Sequence, residues 1–437
     1  MSNNYDPAAD YLEVVKSRGI NIEVKDGATL WTGPKGGSTK DVGPLAGKKV
    51  GCLVASEFSD FQAYYVASYI GELGGELEYL LVDRVTWKWT RPNVRTKGVV
   101  GLWGLTVDPI PVGGGDKADA SKSVYDADFK DYDAIIILGG PSGDIMCTEK
   151  EVQDLLENAY NNGAVIGGIG GGIIPMITVG LTNGKDCTGN EQVDFILKKT
   201  SNFKPSPVII DDRVLTARDT IDTPEFVSAL CRHFAPGYKD PRKGILTGKR
   251  MLLIAGWDFE DFEIAVPALE FMHRGANIVI GTFTGCKRAR PPLLGLDVVQ
   301  GNFGMSIPLQ EIPDNRYRIQ DLKDTDMDDF DGLLIPGAFC PWNMIEAGYP
   351  LEFLRKANEA GKVISFMCHG PIAIAAAGIA ENRKSTGWIS CTDAFTSQGG
   401  DFCADWSATI DNNIVSGRTT PELPEFIDAI SIGLLRQ

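Results

Sequence analysis

The chain has 437 residues, 43% of them apolar and 23% charged, and a net charge of −16 at neutral pH. That length suits two or three domains with sizeable cores, and the composition is that of a globular protein. The acidic balance argues against nucleic acid or an anionic membrane surface as a partner, because both are bound by concentrated Lys and Arg. No run approaches transmembrane length, and the polar, acidic stretch Met1 to Asp10 is unlike a signal peptide. The nine cysteines are scattered, odd in number and without CxxC spacing, which suits reduced thiols in a cytoplasm. Three histidines, His233, His273 and His369, are too few for a histidine-built metal centre, so no metal or other cofactor is expected.

In chain order, residues 1–44 read as an N-terminal extension with a short helix over Tyr11 to Lys16 and a loop over Gly33 to Ser38. A first domain, 45–238, opens with a strand (Val50 to Ala55), a helix (Gln62 to Leu73) and a second strand (Glu78 to Val82). A Pro- and Gly-rich segment, Trp87 to Asp126, follows and is expected to carry short strands and site-lining loops. A third strand, a helix and another strand complete the unit. A linker over Pro236 to Lys243 leads to a second domain, 239–437. This domain has the same order: a strand (Met251 to Ala255), a helix (Glu263 to Arg274), a strand (Asn277 to Thr282) and a long segment (Lys287 to Asp324). A third strand (Gly332 to Ile335), a helix and the strand Val363 to Met367 follow. Apolar strand runs alternating with helices imply a mostly parallel sheet covered on both faces.

The two domains are one unit repeated. Leu45-Ala46-Gly47-Lys48-Lys49 recurs as Leu246-Thr247-Gly248-Lys249-Arg250, and Phe58-Ser59-Asp60-Phe61-Gln62 recurs as Phe259-Glu260-Asp261-Phe262-Glu263. Asp131-Tyr132-Asp133 matches Asp329-Phe330-Asp331, Thr188-Gly189 matches Thr386-Gly387, and Arg218 matches Arg418. The offset stays between 198 (Gly361 against Gly163) and 201 (Leu246 against Leu45), so few insertions separate the copies.

The chemistry concentrates in Met367-Cys368-His369-Gly370-Pro371, where a buried strand gives way to the helix-forming run Ile372 to Ala377. Cys368 therefore stands at a strand-to-helix turn, the geometry of a nucleophile elbow. The following helix N-terminus is expected to favour thiolate over thiol. Glu263, just past the first strand, should emerge at the same carboxyl edge of the sheet and act as a hydrogen-bond donor or general acid/base. Gly337 and Ala338, with the amide of His369, are candidates for an oxyanion hole. Trp257, Asp258, Trp342 and Asn343 are candidate pocket walls, and Cys340 a candidate resolving thiol. In the first copy these positions read Gln62, Gly170 and Gly171 within Gly167-Gly168-Ile169-Gly170-Gly171-Gly172, which has no thiol, imidazole or carboxylate. A Gly-rich stretch after a strand can cradle a phosphate, but no Walker spacing accompanies it, so a non-catalytic copy is expected.

Asp258 to Glu263, Asp331-Gly332-Leu333-Leu334-Ile335-Pro336-Gly337 and Met367 to Pro371 resemble the ThiJ/PfpI superfamily, also described as class-I-glutamine-amidotransferase-like. The likeness is good over about 246–430 and degenerate over about 45–232. It implies two tandem flavodoxin-like domains, a Cys368 nucleophile, a protonated Glu263 partner, a small-molecule substrate, and an intrachain pseudo-dimer able to assemble into further homo-oligomers. The tandem arrangement is similar to plant two-domain members with glyoxalase III activity. Cys-His-Gly-Pro is closer to the PfpI and glyoxalase branch than to isonitrile hydratases, which usually place Thr after the cysteine. Two departures stand out: Gly337-Ala338 replaces the family's Gly-Gly, and Arg418-Thr419-Thr420-Pro421 stands where many members have a further histidine. The expected activity is conversion of a 2-oxoaldehyde to a 2-hydroxy acid, with deglycation as its near relative. Isonitrile hydration or amide hydrolysis with the same nucleophile, and redox sensing or chaperone-like stress protection, are the alternatives.

Overall fold

The computed structural model describes residues 6–32, 42–83, 98–107, 120–285 and 299–437. The loop expected over Gly33 to Ser38, Cys286 and much of the two long segments lie outside the described residues. The chain divides into two compact units, Ser38–Lys239 and Asp240–Gln437, the second of which also takes in Met1–Gly37.

In the first unit the seven-stranded sheet runs Val208–Asp211, Val214–Ala217, Val165–Ile169, Ala134–Ile137, Lys49–Val54, Glu76–Leu81, Ala120–Ser123. Every pairing is parallel except the hairpin of the first two strands. The second unit repeats the order as Ala408–Asp411, Ile414–Gly417, Val363–Met367, Gly332–Ile335, Arg250–Ala255, Asn277–Thr282, Arg318–Asp321. Its three central strands are buried almost end to end, which is why they read as unbroken apolar runs rather than alternating ones. Arg250–Ala255, Gly332–Ile335 and Val363–Met367 are parallel neighbours. The segments leaving their carboxyl ends, which carry Glu263, Gly337 and Cys368, therefore emerge together.

The N-terminal segment belongs to this second unit. Asp6 caps the helix Pro7–Ser17 by accepting from the amides of Ala8 and Ala9 at 3.0 and 3.1 Å, which sets its start ahead of the expected Tyr11. The strands Ile22–Lys25 and Ala28–Trp31 form a hairpin about Asp26-Gly27, both with positive φ, as a two-residue turn requires. Ala28–Trp31 then pairs antiparallel with Ala408–Asp411 and extends the sheet to nine strands. An edge that would otherwise expose unpaired backbone groups is thereby covered. The helix is tied down by buried charge: the Tyr11 hydroxyl donates to Asp428 at 2.6 Å, Arg18 pairs with Asp428, and Arg274 reaches the same carboxylate at 2.8 Å. Arg274 also binds Glu270, and Arg242 joins Glu270 to Asp240, which in turn holds His273 at 3.0 Å.

Candidate active site

The elbow is built by a left-handed residue. Cys368 has φ +53°, its amide donates to Gly417 at 3.3 Å, and the Gly370 amide folds back onto Met367 at 2.7 Å before the helix Pro371–Ala376 begins. The turn leaves Cys368 half-buried, with His369 Nδ1 3.3 Å from its sulfur. The backbone amides of Ala338 and His369 are also directed at that sulfur. Ala338 has φ +50°, so the peptide following Gly337 is turned by a residue in the region where glycine is comfortable. Gly337 itself admits no side chain: a Cβ there would sit 2.5 Å from Cys368 Cβ and 2.9 Å from its sulfur.

Glu263 lies fully buried in the first turn of the helix Phe262–His273. Its Oε2 accepts from the Gly337 amide at 2.6 Å, and its side-chain neighbours are the Thr420 hydroxyl and the Cys368 thiol. Oε1 has no partner of full hydrogen-bond geometry. Burial pushes the Glu263 carboxyl up to about 8, so at neutral pH it holds a proton. Glu260, also buried, accepts from the Glu263 amide at 2.9 Å and is raised well above the ordinary range by burial and by Glu263.

Burial likewise raises the Cys368 thiol, and the nearby carboxyls add to the effect, against the two backbone amides. Burial is the largest of these influences, and the helix whose N-terminus would oppose it is only six residues long. His369 is lowered by burial, so its ring is uncharged at neutral pH and Nδ1 can accept the thiol proton.

The remaining candidates fall in different places. Trp257 and Asp258 are partly exposed; Asp258, at φ +52°, donates its amide to Gln300 and accepts from the Phe339 amide at 3.0 Å. Asn343 is buried with its amide donating to the Trp257 carbonyl, so it fixes the loop rather than presenting itself to a substrate. Trp342 is exposed. Cys340 is fully buried, and the Cys391 thiol is directed at the Cys368 carbonyl at 3.6 Å. Arg418 is neutralised by a two-pronged contact with Glu422. Thr420 and Glu260 were not singled out from sequence; Glu260 is readable only as the Ser59-to-Glu260 difference between copies.

The first copy keeps the frame without the chemistry. Gly170 has φ +53°, the angle of Cys368. Gln62 accepts from the Gly139 amide at 2.7 Å and donates to Thr220 Oγ1 at 2.9 Å. It makes with an amide the contacts that place Glu263 between Gly337 and Thr420. A Cβ on Gly171 would lie 2.4 Å from the Gly140 carbonyl, so the space taken by a histidine in the second copy is closed here.

The family model described as DJ-1/PfpI family matches residues 48–233 and again 249–432. The chain belongs to the DJ-1/PfpI family. As a tandem DJ-1/PfpI protein it is similar to protein DJ-1 homolog D of Arabidopsis thaliana, 24% identical over 70% of this chain and 78% of that one. It also resembles deglycase PfpI of Pyrococcus furiosus, 26% identical over 40% of this chain and 92% of that one. General stress protein 18 of Bacillus subtilis is 24% identical over 41% of this chain and 94% of that one. Among solved structures, Drosophila melanogaster DJ-1beta covers 43% of this chain and 91% of its own at 20% identity and a TM-score of 0.36. Both DJ-1/PfpI matches carry the mixed, parallel-dominated sheet, and only the second holds a thiol at the elbow. Among the described residues no cluster of three or more His, Cys, Asp and Glu side chains is arranged to hold a metal ion, and no helix is long and apolar enough to cross a membrane.

Proposed function

We propose that the second unit is a cofactor-independent enzyme in which Cys368 attacks the aldehyde carbon of a small 2-oxoaldehyde and releases the 2-hydroxy acid, with deglycation as a related reaction. One observation carries this reading: the fully buried Glu263 carboxyl and the His369 Nδ1, 3.3 Å from the sulfur, both stand against the Cys368 thiol. As sulfur adds to the aldehyde carbon, the thiol proton passes to His369 Nδ1 and on to the aldehyde oxygen, giving a hemithioacetal. His369, neutral again, takes the proton from that carbon while Glu263 protonates the neighbouring ketone oxygen, giving an enediol. His369 returns its proton to the second carbon and Glu263 recovers one from the first hydroxyl. The first carbon is now oxidised to a thioester and the second reduced to an alcohol. Water hydrolyses the thioester and restores the thiol, so no external redox partner is needed. The amides of Ala338 and His369 support charge on sulfur during addition and release. Relatives named deglycase, at 24–26% identity, favour the same class of reaction.

The test is formation of lactate from methylglyoxal by the purified chain. Turnover is expected in the wild type and absent in Cys368→Ala. Lactate formed equally by Cys368→Ala would overturn the reading.

A further inference from the structure

The segment that carries the Ala338 amide and the turn that follows the strand Lys384–Ser385 hold four large apolar side chains turned to solvent. Phe339, next to Ala338, is 58% exposed, and Trp342, in the helix Cys340–Ala347, is 46% exposed. Trp388 is 45% exposed and Ile389 is 65% exposed. Trp388 is fixed to the nucleophile: its amide donates to the Cys368 carbonyl at 2.7 Å, and its ring lies 6.3 Å from the His369 ring at a tilt of 35°. Single exposed apolar residues need no explanation, but a group of them beside a nucleophile does.

The repeat supplies a control. At the offset of 198 that aligns Thr188-Gly189 with Thr386-Gly387, Trp388 and Ile389 match Asn190 and Glu191. At the offset that aligns Gly139 with Gly337, Phe339 and Trp342 match Pro141 and Asp144. The correspondence is structural as well, since the Asn190 amide stands over Gly170, 3.1 Å from where its Cβ would be. Where the nucleophile is absent, none of the four places holds a large apolar side chain. The fold therefore does not need these side chains, and their presence goes with the thiol.

We infer that Trp388, with Phe339, Trp342 and Ile389, forms an apolar rim that selects electrophiles carrying an aromatic or bulky apolar arm on the carbonyl, in preference to the smallest aldehydes. The inference rests on the reading of Cys368 as a nucleophile open to a carbonyl-bearing substrate. An arm of that kind stacks against Trp388 while the reacting carbon reaches sulfur, and burying the two apolar surfaces against each other supplies the preference.

The test compares alkylation of Cys368 by 2-chloroacetophenone and by chloroacetone, read on the Cys368 peptide by mass spectrometry. Each reagent forms a C–S bond as the C–Cl bond breaks; chloride leaves with the electron pair and the thiol proton passes through His369 to solvent. The rate ratio of the two reagents, divided by the same ratio for glutathione, removes their intrinsic difference. A normalised ratio of at least about fivefold in favour of the aromatic reagent is expected in the wild type. It should fall toward one in Trp388→Ala and be largely kept in Trp388→Phe. A normalised ratio near one in the wild type, or one unchanged in Trp388→Ala, would overturn the rim and leave the nucleophile standing. Failure of both reagents to label Cys368 would overturn the rim together with the reading beneath it. An aromatic preference in a protein that makes no lactate supports the rim and sinks only the 2-oxoaldehyde reaction.

Discussion

Replacing Glu263 with Gln should make the second unit more stable while abolishing its chemistry, and the gain should depend on pH. Glu263 titrates at about 8 in the folded chain against an ordinary 4.5. A carboxyl whose folded pKa is raised binds its proton more tightly when folded, so its stabilising contribution is complete below 4.5 and is lost as pH rises toward 8. At pH 7 the unfolded chain has been able to release that proton over about 2.5 units, which corresponds to roughly 3 kcal/mol at 1.36 kcal/mol per unit. At pH 5 the same reasoning leaves less than about 1 kcal/mol. Glutamine does not titrate, and Gln62 shows that an amide fits the niche, accepting from Gly139 at 2.7 Å and donating to Thr220 at 2.9 Å. Glu263→Gln should therefore match the wild type near pH 4.5 and exceed it by about 3 kcal/mol at pH 7, roughly 6–12 °C for a unit of about 200 residues. Differential scanning calorimetry at a series of pH values reads this directly. A variant that is less stable at pH 7, or whose advantage is the same at pH 5 and pH 7, would refute the buried neutral carboxyl.

The same site makes further outcomes predictable. Activity should rise with pH as His369 loses its proton, at a value below its ordinary 6.5, and fall again as Glu263 ionises near 8; in Glu263→Asp the alkaline limb should move, as pH–rate profiles would show. Gly337→Ala should lower kcat/KM at least about 100-fold, because its Cβ would stand 2.5 Å from that of Cys368, while circular dichroism stays that of the wild type. Tyr11→Phe removes a 2.6 Å hydrogen bond to the buried Asp428 carboxylate and should destabilise the second unit by about 2 kcal/mol in urea unfolding, with the first unit unaffected. Cys368→Gly should be more stable than Cys368→Ala by about 1 kcal/mol in the same assay, since only glycine accepts φ +53° without strain.

Much of this architecture was legible in the sequence because parallel strands advertise themselves. Val363–Met367 is buried at all five positions, and its apolar run gives both its limits and its central place in the sheet. The strand-to-helix turn singled out Cys368, and internal repetition strengthened it and Glu263 as candidates by setting them against Gly170 and Gln62. Pairings between distant segments were not legible. Ala28–Trp31 finds its partner strand near residue 410, and no local pattern announces that the segment crosses the first unit's sequence to complete the second. Thr420 and Glu260 stayed hidden for a related reason: each is an ordinary residue until the fold sets it against Glu263. The thiol's protonation is not legible either: a turn before a helix suggests charge stabilisation, whereas the burial that opposes it is a property of the folded chain.

The two copies together separate what the fold demands from what the chemistry demands. A left-handed residue at the elbow occurs in both, so the turn belongs to the fold; glycine fills it without strain at Gly170 and cysteine fills it with strain at Cys368. An acceptor for the amide after the third strand also occurs in both, as Gln62 and as Glu263. Asp60 and Asp261 each hold a following loop by accepting two backbone amides, so this carboxylate too belongs to the fold. What remains special to the second copy is a thiol, an imidazole, a carboxyl with a removable proton, and four exposed large apolar side chains. Each is less favourable than its counterpart by the rules that govern folding: a strained side chain for glycine, a buried titratable group for an amide, exposed tryptophan for asparagine. Residues that cost stability in one copy and are absent from the other are the ones the proposed chemistry would require, and Glu263 and His369 both meet the sulfur of Cys368.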